Sequence, residues 1–115
     1  MPLIKGAAMK TIELAKVFSR YPAGRYKSDG PFSGEKFREE MLLPFINNED
    51  LVVIVLDGAM GYGSSFLEEA FGGLVRKLKN KDIVKKKLVL VSKEDPFLVK
   101  EINSYIEHGL DERNA

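Results

Sequence analysis

Residues 51–65 read LVVIVLDGAMGYGSS, and this stretch decides the fold. Leu51 to Leu56 are apolar at every position and rich in β-branched side chains. Both faces of such a strand call for cover, which is the pattern of a central parallel strand. Asp57 ends the run. Gly58, Gly61 and Gly63 then fall within six positions, so the backbone of this turn can approach another group closely. Ser64 and Ser65 head an amphipathic stripe of Phe66, Leu67, Ala70, Phe71, Leu74, Val75 and Leu78, which predicts a helix to about Lys79. Ser65, with Glu68 three places on, spells a capping box. The segment is thus strand, glycine-rich turn and helix, and open α/β sheets bind ligands at such junctions.

Downstream, 88–92 (LVLVS) predicts a second buried strand. Asp95-Pro96 predicts an N-cap with proline at the first helical position. The helix that follows shows a face of Leu98, Ile102, Tyr105 and Ile106 and stops at Gly109. Upstream, 10–18 (KTIELAKVF) alternates, with Ile12 and Leu14 on one side of a half-buried strand. Residues 19–33 hold two prolines and two glycines and read as a long loop, a length that usually signals function. Ser33 caps a helix over 34–43 with Phe37, Met41 and Leu42 on its face, and Pro44 kinks or ends it. The expected fold is α/β: a small sheet with a parallel β-α-β-α C-terminal half, right-handed crossovers and helices packed on the sheet. It is one domain over 1–115, with 1–8 and 110–115 loosely held.

Composition narrows the chemistry. The 115 residues carry 18 Lys/Arg against 17 Asp/Glu, a net charge of +1, so no whole-molecule field points to nucleic acid. The absence of cysteine excludes disulfides and thiolate chemistry, and the single histidine, His108, makes a His-rich metal site or a Ser–His mechanism hard to build. No cofactor or metal is implied. No run nears the ~20 apolar residues of a membrane helix, and MPLIKGAAMK is too short and broken for a signal peptide. A cytoplasmic protein is expected.

The turn lacks the Lys-Ser/Thr ending of a phosphate loop, and it does not fit G-x-S-x-G. A bland reading of the turn is a glycine bend plus a helix cap. The sharper reading uses the N–H groups and partial positive charge of the helix start to hold an anion or a phosphorylated serine. Asp57, Gly61, Tyr62, Gly63, Ser64 and Ser65 would then form the site. Arg25, Asp29 and Arg38 belong to a second motif, RYKSDG followed by FSGEKFR. There the arginines suit a phosphate, unless Asp29 merely pairs with Arg25. Gly72 and Gly73 inside a helix each cost roughly 1 kcal/mol against alanine. Something therefore packs closely there: a neighbouring element of the fold, a partner, or a second copy in a homodimer. The basic stretch RKLKNKDIVKKK (76–87) reads as a helix C-terminus, since no aromatic platform for RNA accompanies it. The acid pairs Glu39/Glu40 and Glu68/Glu69 are adjacent on helices and do not face each other.

LVVIVLDG, AMGYG and SSFLEEAFGGLVRKL together resemble the core of a STAS domain, the fold of anti-sigma-factor antagonists. RYKSDGPFSGEKFREEMLLP upstream, with GSSFLEEAFGGL, more specifically resembles the uncharacterised STAS-like domain family of bacteria. The resemblance spans about residues 10–92. It implies a non-enzymatic regulatory module that docks a protein partner, such as a GHKL-type ATPase or kinase, through the Gly61–Ser65 turn and the following helix. Ser64 matches the serine that is phosphorylated in true antagonists, although Gly63 stands where their aspartate would be. The alternative is a phosphate or nucleotide site at the turn, clamped by Arg25 and Arg38. An enzyme would need Asp29, Arg25 and Ser64 to converge.

Overall fold

The structure is a computed structural model and describes residues 8–111. Three strands, β1 (Met9–Glu13), β2 (Leu51–Val55) and β3 (Leu88–Val91), form a parallel sheet in the order β1-β2-β3. Ile12 aligns with Ile54, and Ile54 with Leu90. Strand β1 ends earlier than the alternation implies. Leu14–Val17 turn into a short helix, α1, with the Leu14 carbonyl accepting from the amides of Phe18 and Ser19. The helical turn keeps Leu14 in the core and brings Phe18 against it.

The crossover from β1 to β2 begins with the loop of residues 19–33. It is folded on itself rather than loose. Ala23 donates to Phe32, and Gly34 to Gly24. A 3-10 turn, Lys27–Asp29, sits at its tip. Ser33 caps α2 (Gly34–Phe37) as expected, accepting from the Lys36 amide at 3.1 Å. The helix does not stop at Pro44. It passes through a π turn, Arg38–Leu42, into α3 (Leu43–Asn48). Pro44 follows the π turn directly, at the second residue of α3.

The second crossover begins at the glycine turn. A continuous helical run follows, made of α4 (Ser64–Leu67), a second π turn (Glu68–Gly72) and α5 (Gly73–Leu78). Lys79 then adopts the left-handed conformation, φ 53°, and breaks the run. A further helix, α6 (Lys81–Lys87), enters β3 directly. It corrects the reading of 76–87 as one helix end. Asn80 caps α6 by accepting from the Ile83 amide, and Val84 anchors it in the core. Finally, Asp95 caps α7 (Pro96–Glu107) through the Phe97 amide.

The core gathers Ile12, Leu14, Val52, Ile54 and Leu56 from the sheet side under Phe37, Phe66, Phe71, Leu74 and Ile102 from the helices. Burying one such side chain contributes about 1.5–3 kcal/mol. The expectation that β2 is covered on both faces needs correction. The helices of the described chain gather on the face of Val52 and Ile54, while Leu51, Val53 and Val55 contribute nothing to the core. The expectations for residues 1–7 and 112–115 fall outside the described residues. No helix among the described residues is long and apolar enough to cross a membrane.

Candidate interaction site

Strand β2 delivers the chain to the C-terminal edge of the sheet, and the turn is built there. Asp57 is its staple. Its carboxylate accepts from the Lys93 amide at 2.9 Å and the Glu94 amide at 2.8 Å. Glu94 returns the bond by accepting from the Gly58 amide at 2.9 Å. These amides, Glu94 first and then Lys93, hold the Asp57 carboxyl below the usual carboxylate range. Gly58 and Gly61 have φ of 95° and 145°, conformations that L side chains rarely adopt. Tyr62 folds back under the turn, and its hydroxyl donates to the Leu56 carbonyl at 2.7 Å. Burial, reinforced by the charges of Asp57 and Glu94, pushes its phenol well above the ordinary range.

The helix start differs from the predicted capping box. Gly63 is the N-cap, with no side-chain cap, and Ser64 and Ser65 are the first two helical residues. Glu68 is not available to reach back, because it pairs with Arg25 at 2.5 Å and Arg76 at 2.7 Å. The two serine hydroxyls are therefore not needed to start the helix, and both residues are exposed, as are Met60, Gly61 and Gly63. The helix behind them is another matter. Phe66, Leu67 and every residue from Glu69 to Val75 are buried, held between the sheet, α2 and α7. A partner can therefore meet the turn and the first two serines, but not the face of the helix.

Arg25 and Arg38 do not assemble as clamps at the turn. Arg25 leaves the long loop to pair with Glu68 and, at 3.2 Å, with Glu69. Arg38 is buried and bonds Glu39 at 2.8 Å, the Glu69 carboxylate at 2.6 Å and the Glu69 carbonyl at 3.0 Å. Desolvation opposes the charge on Arg38, but its bonds to Glu39 and Glu69 outweigh that and raise its pKa. Arg25 shows the same balance with Glu68 and Glu69. Asp29 pairs with neither arginine. Its carboxylate accepts from the Tyr26 amide at 2.8 Å and closes the loop's own turn. Arg25 and Asp29 are thus each engaged with other partners, Glu68 and Glu69 for the arginine and the Tyr26 amide for the aspartate.

Gly72 and Gly73 are explained from within the fold. A Cβ on Gly73 would collide with the Arg38 guanidinium, and one on Gly72 would lie 2.7 Å from the Glu68 carboxylate. The two glycines clear space for the ion pairs, so the close neighbour they imply is a side chain of the same molecule.

Beside the turn lies a hollow of about 280 Å³ that the sequence reading missed. Leu56, Ala59, Met60, Tyr62 and Leu98 give it apolar walls, and Glu94, Asp95 and Glu101 line it with carboxylates and no cation. The signal was present in Ser92 to Asp95, which follow β3 at the same sheet edge as the turn. A hollow lined in this way disfavours a phosphate. Among the described residues, no group of His, Asp and Glu is arranged to hold a metal ion.

No curated protein and no solved structure matches the chain. A family model does match, over residues 33–96, from the cap of α2 through the turn to the start of α7. That span is more than half of the 115 residues, and the chain belongs to the family of the STAS-like domain of unknown function (DUF4325).

Proposed function

We propose that the protein is a non-enzymatic regulatory module of the cytoplasm that docks a protein partner through the tip formed by Gly61 to Ser65. The partner class taken from the STAS resemblance is a GHKL-type ATPase or kinase, with Ser64 as the phosphorylation switch. One observation carries the reading. Ser64 and Ser65 stand exposed at the head of a long helical run, and Gly63 takes the cap position in their place.

Chemically, phosphate on Ser64 adds roughly −1.5 to −2 charges. The positive end of the helix tolerates that charge within the domain. A partner surface matched to the neutral serine does not, so modification releases the partner. Docking is confined to the tip because the helix behind it is buried. A nucleotide at the turn is the weaker reading, since Arg25 and Arg38 are engaged with carboxylates and the adjoining hollow is acidic.

The experiment is co-purification from native lysate, read by mass spectrometry for partner identity and for phosphoserine. Binding of that purified partner to the wild type, Ser64→Ala and Ser64→Asp is then measured. Phosphate mapped to Ser64, with weakened binding by Ser64→Asp alone, supports the reading. Equal affinity of all three forms removes the switch. A partner footprint that avoids residues 60–65 removes the docking site as well.

A further inference from the structure

The hollow beside the tip is apolar below and acidic above. Leu56 and Leu98 are almost fully buried and form its floor, while Met60, 67% exposed, stands at its mouth. Glu94 and Asp95 are exposed and Glu101 is half-buried, so the carboxylates lie nearer the solvent than the floor does. Each is fixed through one oxygen. Glu94 Oε1 accepts from the Gly58 amide at 2.9 Å, Asp95 Oδ1 from the Phe97 amide at 3.2 Å and Glu101 Oε2 from the Tyr105 hydroxyl at 2.7 Å. Among the described residues, the second oxygen of each accepts no hydrogen bond, and none of the three carboxylates has an ion-pair partner.

Charge and size together narrow the occupant. Three carboxylates outweigh the roughly half positive charge at the start of α7, so the hollow selects a cation. Their field reaches its wall: after burial, the charges of Asp57 and Glu94 push the Tyr62 phenol upward. A bare metal ion does not fit, since no group of acids among the described residues is arranged to hold one. The volume of about 280 Å³ falls just below the ~300–1,000 Å³ of pockets for drug-sized molecules, and suits a single side chain. Lysine and arginine lay an apolar stem along apolar surface and keep a charged head in a polar setting. The floor and the rim of the hollow match those two parts.

We propose that the hollow receives one lysine or arginine side chain of the docked protein partner, with its stem on Leu56, Leu98 and Met60 and its head among Glu94, Asp95 and Glu101. This rests on the tip as the docking site, as proposed above, and not on modification of Ser64. It gives the partner a chemistry: a basic side chain that enters beside the turn while the surface around it meets Gly61 to Ser65.

The test has two arms, both on the full chain. In the first, amide NMR follows titration with n-butylguanidinium and n-butylammonium chlorides, which carry the two basic heads on short stems. Neutral n-pentanol and magnesium chloride are the controls, all at constant ionic strength. The organic cations should give saturable shifts at Leu56, Tyr62, Glu94 and Leu98, with a dissociation constant of about 10 mM for so few atoms, and the controls should not. Asp95→Asn/Glu101→Gln should raise that constant at least fivefold with circular dichroism unchanged, because asparagine still caps a helix and glutamine still accepts from Tyr105. If the double variant fails to fold, Glu101→Gln alone decides. No saturation by about 100 mM, or equal shifts from pentanol or magnesium, overturns the proposal. In the second arm, the partner purified as above should bind the double variant at least tenfold more weakly, and bind Asp82→Asn, which does not line the hollow, unchanged. Unchanged affinity for the folded double variant overturns the proposal even where Ser64→Asp releases the partner. Weakened binding by the double variant, with equal affinity for the Ser64 forms, upholds it and removes only the switch.

Discussion

Arg38 Nη1 lies 2.6 Å from Glu69 Oε2 and 3.0 Å from the Glu69 carbonyl, so one guanidinium ties the π turn Arg38–Leu42 to the π turn Glu68–Gly72. A π turn widens a helix by one residue and disturbs its hydrogen-bond ladder. Here the Glu69 carbonyl in the second π turn is taken by a side chain from the first. Both partners are almost wholly buried, with side chains 6% and 9% exposed.

Breaking this pair from one side strips a buried charge of its closest partner, although Glu69 keeps Arg25 at 3.2 Å and Arg38 keeps Glu39 at 2.8 Å. Arg38→Met should destabilise the fold by about 3 kcal/mol, and Glu69→Leu by a similar amount. The double substitution should recover most of the loss, because an apolar pair of similar volume is often neutral. Urea unfolding of the three variants measures this. Additive losses would mean that Arg38 and Glu69 do not act as a unit.

Gly73 depends on the same pair. Gly73→Ala pushes a methyl into the Arg38 guanidinium and should cost about 2 kcal/mol in the wild type, despite alanine's better helix propensity. In the Arg38→Met background the nearest obstruction, the guanidinium, is gone while Glu69 Oε2 stays 3.3 Å away, so the same change should cost less than about 1 kcal/mol. Gly63→Ala makes a control, since nothing lies within 4 Å of its Cβ and its φ is an ordinary −73°. Its stability should stay within about 0.5 kcal/mol of the wild type.

Acid should loosen two staples. Lys81 and Lys85 both bond Glu107, at 2.8 and 3.0 Å, and hold its carboxyl down to about 2. Asp57 is lowered by the amides of Glu94 and Lys93. A carboxyl whose folded pKa is depressed contributes stability that is full above its unfolded value. That contribution is lost as pH falls through the folded value. Stability should therefore decline from about pH 4.5 toward pH 2, with unfolded carboxyl values of about 4. Asp57→Asn should flatten part of that decline. Carboxyl NMR titration should place Glu107 near 2 at low salt and higher at 1 M salt, where exposed pairs are screened. A Glu107 that titrates near 4 at low salt would contradict the bridge.

Tyr62 supports the tip from below. Tyr62→Phe leaves the Leu56 carbonyl without its donor and should cost about 1 kcal/mol in urea unfolding. In the wild type the phenol should resist ionisation through pH 11, read by ultraviolet absorbance.

The sequence carried much of this architecture. LVVIV and LVLV are strands, as short β-branched runs bounded by turn residues imply, and Ser33 and Asp95 cap their helices because their side chains reach the free amides. Four features were less legible. The capping-box pattern at Ser65 and Glu68 was overridden by tertiary pairing, since Glu68 is drawn to Arg25 and Arg76. The π turns have no local sequence signature. The helix of 81–87 was hidden in a run of lysines, although Asn80 and Val84 mark its cap and anchor. The roles of Arg25 and Arg38 depended on carboxylates more than thirty residues away, which spacing alone does not reveal. At the site, the turn and its serines were legible, whereas the acidic hollow beside them required the neighbouring strand's loop to be brought alongside.

The proposed role of Ser64 as a recognition point at the molecule's tip is tested most directly by the partner's dissociation constant for unmodified, Ser64→Ala and Ser64-phosphorylated protein. Unmodified and alanine forms should bind alike. The phosphorylated form should bind at least tenfold more weakly, a change of about 1.4 kcal/mol or more. Indistinguishable constants for all three would contradict it.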